Sequence, residues 1–424
     1  MTKTTPWPFE AAEAARRDPR GLETVQDLAR RLGYESAALE NEAVRHHHRT
    51  AARLLERWRL DAAADRLESL DLAGVKVGGD EAVTERLAAD LEWPGGGRAL
   101  ESSFRSRWRL SPARYLSLRS ATVWRLELPG WWRRDAAVAY GSRDPSSRHE
   151  AADSRRLRWA LNGPRGPLGL ELRLPESAAE RVAEARLLAG AEEPSVAPWA
   201  HRTLIRLLGL HLDPEPFERR VAEGPHSRLI EGREGLTVPQ TAAFFDGVTW
   251  VVCGQQVSLV VAFKMRNAIA DHLGRPLAGG KSGAGGMLAP PTAEDVASTG
   301  PEELYRLGFS RRKEQYLQGV ARQICSGEID ARGLGHRSAL DIERQLLAIR
   351  GFGPWSVNYL MMRALGLEDC VPVGDVALAR ALEGYFALDH RPGSDETREL
   401  MTAFAPHRSL ATFHLWASLQ DGSG

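Results

Sequence analysis

The chain has 424 residues, and its 56 Lys and Arg are matched by 56 Asp and Glu, so bulk charge does not draw it to nucleic acid or to an acidic surface. The length suffices for two or three domains with separate cores. No apolar run approaches the ~18 residues of a membrane span and no charged-plus-apolar leader is apparent, so a soluble, cytoplasmic chain with no membrane partner is expected. Cys253, Cys325 and Cys370 lie far apart, which argues against a disulfide framework.

Residues 20–120 read as short helices. Val25, Leu28, Ala29 and Leu32 form an apolar stripe that ends at Gly33, and a second helical stretch starts near Ser36. Leu54, Leu55, Trp58, Ala62 and Leu67 mark a longer amphipathic helix. A second cycle begins near Val83, breaks at Pro94-Gly95-Gly96-Gly97 and resumes at Ala99. It closes in Phe104-Arg105-Ser106-Arg107-Trp108-Arg109-Leu110-Ser111-Pro112-Ala113-Arg114-Tyr115. That string resembles the end of an AraC-type double helix-turn-helix region, with Trp108 where a phenylalanine is usual. The segment Asp27 to Tyr34 resembles the first unit more loosely. The resemblance implies recognition helices near 36–47 and 97–106, each entering a major groove. Glu35, Glu40, Glu42 and Glu101 lie on or beside them and oppose an approach to phosphate. Arg45, Arg49, Arg53 and Arg57 recur every four residues, as either a basic stripe or a solvated face. His46, His47 and His48 are consecutive, and consecutive helix positions point in different directions, so no metal site is expected there.

From Thr122 the texture changes. Trp124, Leu126 and Leu128 alternate with Val123, Arg125 and Glu127, as in a half-buried strand. Residues 133–145 suggest a helix and turn. Two more strands, over 156–161 and 168–174, flank a turn expected at Asn162-Gly163. Ser177 to Leu188 is expected to return to helix. The fold class expected is mainly α with a small α+β domain, divided as residues 1–120, 121–200 and 201–424.

The last region is nearly all helical. Cys253-Gly254-Gln255-Gln256-Val257-Ser258-Leu259 places two glutamines beside apolar residues, and Leu307 to Lys313 opens a helix with basic residues that face phosphate or water. Further on, a helical pattern through Ile342, Leu346, Leu347 and Ile349 breaks at Gly351-Phe352-Gly353, where glycines permit φ values that other residues resist. Pro354 suits the first turn of a new helix, which buries Val357, Leu360, Met361 and Ala364 on one stripe and carries Trp355 and Tyr359 on another face. Asp375 follows Val371-Pro372-Val373-Gly374 and directly precedes another helical run. A Gly-x-Gly turn between helices exposes backbone N–H groups at a helix N-terminus, an anion site, although the same turn also joins helices with no ligand.

The string L-L-x-I-x-G-F-G-P-W, with V-P-x-x-D ending twenty residues past the tryptophan, resembles the helix–hairpin–helix, Gly/Pro/Asp superfamily of DNA glycosylases. Within it the 3-methyladenine DNA glycosylase II (AlkA) type is the most similar. The resemblance covers residues 122–412, and the strands of 121–200 look like the small domain that precedes the catalytic part of such enzymes. It implies a monomer acting on double-stranded DNA that contains alkylated bases, in base excision repair. Asp375 is the implied catalytic carboxylate, although a helix N-cap is an ordinary role for the same residue. Trp355, Tyr359, Gln255 and His407 are the implied base pocket, His407 standing where the family usually has a tryptophan. Gly351, Phe352, Gly353, Gln256 and Arg408 are the implied DNA contacts. No cofactor is expected beyond a monovalent cation held by hairpin carbonyls, as in the family, and three scattered cysteines do not match the four that hold an iron–sulfur cluster in some relatives. Trp355 occupies the position of the nucleophilic lysine of strand-cutting members, implying base removal without lyase activity. A transcription regulator, or a non-enzymatic lesion-binding module with a glycosylase-like half, is the alternative reading.

Overall fold

A computed structural model describes residues 7–70, 79–177, 180–190, 196–277 and 286–421. Among the described residues the first part of the chain forms seven α-helices: α1 (Phe9–Arg17), α2 (Val25–Leu32), α3 (Ser36–His47), α4 (Ala51–Ser69), α5 (Asp80–Asp90), α6 (Gly96–Trp108) and α7 (Pro112–Ser117). Their ends follow local chemistry. Thr24 and Asp27 form a reciprocal capping box at α2, and Gly33 ends it at φ 75°. Ser111 caps α7, with Pro112 in its first turn.

The first buried cluster joins Trp7, Ala15, Leu28, Leu39, Leu54 and Trp58. Helix α1, which the sequence pattern does not announce, belongs to it, and Trp7 meets the His47 ring edge-on at 4.6 Å. The AraC-like string is a packing motif here. Phe104, Trp108, Ser111 and Tyr115 are all buried, and the Phe104 and Tyr115 rings stand edge to face at 5.5 Å. Trp108 Nε1 donates to Leu60 O. His201 Nε2 lies 2.7 Å from Trp108 O, while Trp124 Nε1 donates to His201 Nδ1 at 3.0 Å, so that ring carries its proton on Nε2.

These contacts fuse α5–α7 to the strands and helix over residues 123–207. A second cluster runs from Leu60 through Tyr115 and the sheet to Leu210, so boundaries at residues 120 and 200 fall inside one core. The sheet contains β1 (Val123–Glu127), β2 (Glu150–Asp153), β3 (Arg156–Gly163), β4 (Gly166–Arg173) and β5 (Val182–Ala189), with α8 (Arg134–Gly141) after β1. It is antiparallel throughout, in the order β1-β5-β4-β3-β2.

Two expectations fail here. Residues 182–189 form a strand where a helix was expected, because Ala183, Ala185, Leu187 and Ala189 face inward with period two, and pairing on both sides overrides the helix propensity of Ala, Glu and Arg. Gly163 pairs with Gly166, so the hairpin turn is Pro164-Arg165. Asn162 instead lies in β3, where its side chain donates to Pro290 O and accepts from Arg275.

The remaining chain is helical: α9 (Val196–Leu207), α10 (Glu215–Ala222), α11 (Phe244–Gly254), α12 (Leu259–Leu273), α13 (Ala293–Ala297), α14 (Glu303–Arg306), α15 (Arg311–Cys325), α16 (Ala339–Leu347), α17 (Pro354–Arg363), α18 (Val376–Phe386), α19 (Ser394–Met401) and α20 (Arg408–Asp421). A two-stranded ribbon, β6 (Arg275–Pro276) with β7 (Leu288–Ala289), interrupts it after α12. A third buried cluster, from Leu212 to Leu415, holds α10–α20 together. Among the described residues no helix is long and apolar enough to cross a membrane.

The four arginines of the supposed stripe do not share a face. Arg45 lies 3.9 Å from Glu42, Arg49 2.6 Å from Glu368, Arg53 3.9 Å from Glu368 and Arg57 3.7 Å from Asp61. They come from two helices and the turn between them, and each has a carboxylate. His46, His47 and His48 point to Ser338, Trp7 and Asp369 respectively.

Candidate active site

The hairpin is the junction of α16 and α17. Phe352 N donates to Ile349 O at 3.1 Å, closing the turn. Gly351 sits at φ 91°, and a Cβ there would lie 2.4 Å from the Tyr316 ring, so glycine is required on two counts. Gly353 does not share this demand: it is extended, at φ −112° and ψ −177°, and precedes Pro354. One glycine, rather than two, supplies the unusual conformation. The Phe352 side chain is buried and packs into the third core cluster.

Helix α17 buries Val357, Leu360, Met361 and, just past its end, Ala364. Its other face carries Trp355 and Tyr359, ring centroids 5.7 Å apart at 38°. Beyond Arg363 the chain runs without regular structure to Gly374, at φ 90°, and then delivers Asp375 as the N-cap of α18. Of the two roles weighed for Asp375, the N-cap is the one its contacts fill directly. Its Oδ1 accepts from Leu378 N at 2.7 Å, which caps the helix. The same oxygen accepts from Trp416 Nε1 at 3.1 Å, and Oδ2 accepts from Trp355 Nε1 at 2.9 Å. Three N–H donors at a helix N-terminus complement a negative carboxylate and fix its plane.

Trp416 was not singled out from the sequence. It lies in α20, its ring 6.2 Å from Tyr359, and with Trp355 it brackets Asp375. Two helical turns after His407-Arg408, a tryptophan reads as ordinary core; only the crossing of α20 beside α18 turns it toward the carboxylate. His407, expected as a pocket wall, stands outside the cavity, its ring 6.0 Å from Phe217 of α10, because it precedes α20 and faces the core. Arg408 likewise misses the cavity: Nε and Nη2 both reach the Asp369 carboxylate at 2.7 Å, a bidentate grip on the loop before Asp375.

Gln255 closes α11 and donates from Nε2 to Gly351 O at 2.8 Å and Ser356 Oγ at 3.2 Å, tying the glutamine segment to the hairpin. Gln256 is exposed at φ 55°. It opens a ridge with Val257, Leu259 and Val260, which are 38%, 57% and 63% exposed, and Val376 at 69% lies in the cavity rim near Asp375. Apolar side chains this bare call for a partner. Arg312 and Lys313 of α15 both line the cavity, and Lys313 is buried, its Nζ donating to Cys253 O near the end of α11.

The cavity measures about 1510 Å³, and Gln255, Gln256, Trp355, Tyr359, Asp375 and Trp416 all line it. Its far wall comes from α8 and the turn after it: the Arg143 guanidinium sits 3.5 Å above the Tyr140 ring, and burial lowers that guanidinium to about 10. Small-molecule pockets usually fall near 300–1,000 Å³, so this cleft has room for a nucleotide out of its stack.

A family model described as HhH-GPD superfamily base excision DNA repair protein matches residues 249–407, the segment that carries the glutamines, the hairpin and Asp375. A DNA-3-methyladenine glycosylase of Bacillus subtilis (strain 168) is 31% identical over 229 residues, covering 53% of this chain and 75% of that protein. The chain belongs to the HhH-GPD superfamily. A further relative, the probable bifunctional transcriptional activator/DNA repair enzyme AlkA of Mycobacterium tuberculosis (strain ATCC 25618 / H37Rv), is 27% identical over 225 residues, 51% of this chain and 42% of that one. Among solved structures, a 3-methyladenine DNA-glycosylase from Archaeoglobus fulgidus superposes with TM-score 0.62 at 22% identity, covering 71% of this chain and 99% of that one. That superposition spans more of the chain than the segment at residues 249–407.

Proposed function

We propose that the protein is a monofunctional DNA glycosylase that removes alkylated bases, 3-methyladenine and 7-methylguanine among them, from double-stranded DNA. The observation that carries this reading is Asp375, held by two indole N–H groups and a helix N-terminus at the wall of a nucleotide-sized cleft.

A lesion must leave the stack first, which costs least for a weakened pair. Gln256 and the bare apolar ridge at the cleft mouth are suited to filling the gap, and the first turn of α17 offers backbone N–H groups to a phosphate. The carbonyls of Ile349, Gly351 and Gly353 each accept one hydrogen bond and keep a second lone pair, so the turn suits a monovalent cation. An alkylated purine is cationic, and the faces of Trp355, Tyr359 and Trp416 attract it through their quadrupoles. As the N-glycosidic bond breaks, the electron pair leaves with the base and positive charge grows on the sugar. The Asp375 carboxylate stabilises that charge and orients the water that adds to C1′, leaving a free base and an abasic site. Trp355 cannot form a Schiff base with the sugar, so no strand cleavage is expected.

The test is release of 3-methyladenine and 7-methylguanine from methylated duplex DNA by wild type and by Asp375→Asn. Abasic sites without strand breaks, lost on substitution, are expected. Folded wild-type protein that binds this DNA yet releases nothing would leave the lesion-binding alternative standing.

A further inference from the structure

We propose that the N-terminal helices take part in base release by fixing the loop that delivers Asp375, with Arg49 as the positioning residue and His48 as its auxiliary. This rests on reading Asp375 as the reactive carboxylate.

The stretch from Gly366 to Gly374 has no helix or strand to set its path, so tethers must do so. Some come from its own region. Arg408 grips Asp369, Cys370 N donates to Ser409 Oγ, and Val371 N donates to Asn358 Oδ1. Others come from the turn between α3 and α4, more than 300 residues earlier in the chain. Arg49 Nε lies 2.6 Å from Glu368 Oε1, and its Nη2 donates to Gly366 O at 3.2 Å. Asp369 N donates to His48 Nδ1 at 3.2 Å. Both Arg49 and Glu368 side chains are more than nine-tenths buried, at 7% and 9% exposure, so removing Glu368 strips Arg49 of its carboxylate, and removing Arg49 leaves Glu368 the more distant and more exposed Arg53 at 3.9 Å.

The last turn of α3 also meets α16, the helix that leads into the hairpin, at its N-terminal end. His46 Nδ1 lies 2.5 Å from Ser338 Oγ, and Ser338 is the N-cap of α16. His48 adopts φ 56°, the left-handed conformation, which lets His46 face α16 while His48 and Arg49 face the loop. Three neighbouring groups thus span the two elements whose relative placement sets where Asp375 stands against a base in the cleft. A reacting group displaced by about an ångström loses on the order of a hundredfold in rate, so a loosened tether is felt in the chemistry before it is felt in binding.

The experiment uses the full chain with Arg49→Met, Glu368→Met, the double substitution, and Arg49→Lys. Two readouts are taken: single-turnover release of 7-methylguanine at saturating enzyme, and amide hydrogen exchange over residues 366–375. Affinity for an abasic duplex is the control. Arg49→Met is expected to lower the rate on the order of tenfold and speed exchange in the loop, with abasic-duplex affinity within about twofold. The double variant should lose no more than either single one, and Arg49→Lys should recover part of the loss. A folded Arg49→Met protein with wild-type release rate overturns the proposal. Should Arg49→Met fail to fold, His48→Ala removes one acceptor and is judged by the same two readouts. A wild type that releases no base, with exchange still speeded by Arg49→Met, rejects the role of Asp375 and leaves the tether intact as structure.

Discussion

The N-terminal helical region and the hairpin region both carry family-like strings, the hairpin's the more specific, and the two strings do opposite things. In the first, Phe104, Trp108, Ser111 and Tyr115 all point inward, and Arg45, Arg49, Arg53 and Arg57 of α3, α4 and the turn between them are spent on carboxylates. In the second, Trp355, Asp375 and Trp416 are only partly buried, line one cleft, and direct their polar atoms at one another. A recurring string therefore reports a local geometry, and what that geometry is used for depends on which way the polar atoms face. Framework side chains satisfy one another inside; site side chains satisfy one another at an edge and leave a face open.

Substitution separates the two regions most sharply at their centres. Asp375→Asn should cut base release at least about a hundredfold, with little change in melting temperature. Phe104→Ala should do the reverse, lowering stability by about 3–5 kcal/mol while release per folded molecule is kept. Denaturant melts beside single-turnover assays read both, and similar stability losses in the two variants would erase the distinction. Next in size is Trp416→Phe, which keeps a ring but removes one N–H from Asp375. A hydrogen bond to a charged group is worth about 1.5–3 kcal/mol, so release should fall roughly ten- to a hundredfold.

Acid should weaken the framework. Burial holds the imidazoles of His48, His149 and His201 down to about 4 and that of His414 to about 3, against an ordinary 6.5. Below 6.5 the unfolded chain takes up protons at these four positions while the folded chain does not, so stability falls as pH drops toward 4. Asp246, pushed up to about 6 from 3.8 by burial, opposes this together with the raised Glu218 and His390, but burial also lowers His46, His47, His211, His226, His336 and His407, so the loss prevails. Thermal melts between pH 7 and 4 should show a steady loss, and a flat profile would mean the histidines are hydrated. The smallest effect is expected on DNA affinity away from the cleft. Asn41→Ala, on the exposed part of α3, should change binding of an abasic duplex by less than about twofold, whereas Val260→Asp on the bare ridge should weaken it by about tenfold or more. Reversal of that order would restore a DNA-reading role to α3.

The sequence alone determined the features that depend on near neighbours: the apolar stripe of α17, the turn at Gly351, Pro354 in a first turn, and Asp375 as the cap of α18. Periodicity, caps and left-handed glycines act within a few residues, so they can be read from a string. Only the tertiary structure decided that 182–189 is a central strand, since its Ala, Glu and Arg favour helix until two neighbours supply ladder bonds. It decided that Gly353 is extended, that Trp416 rather than His407 closes the pocket, and that Arg408 and Arg49 hold the loop before Asp375. Those outcomes depend on which distant element passes within hydrogen-bond reach, and that is settled by how the cores pack.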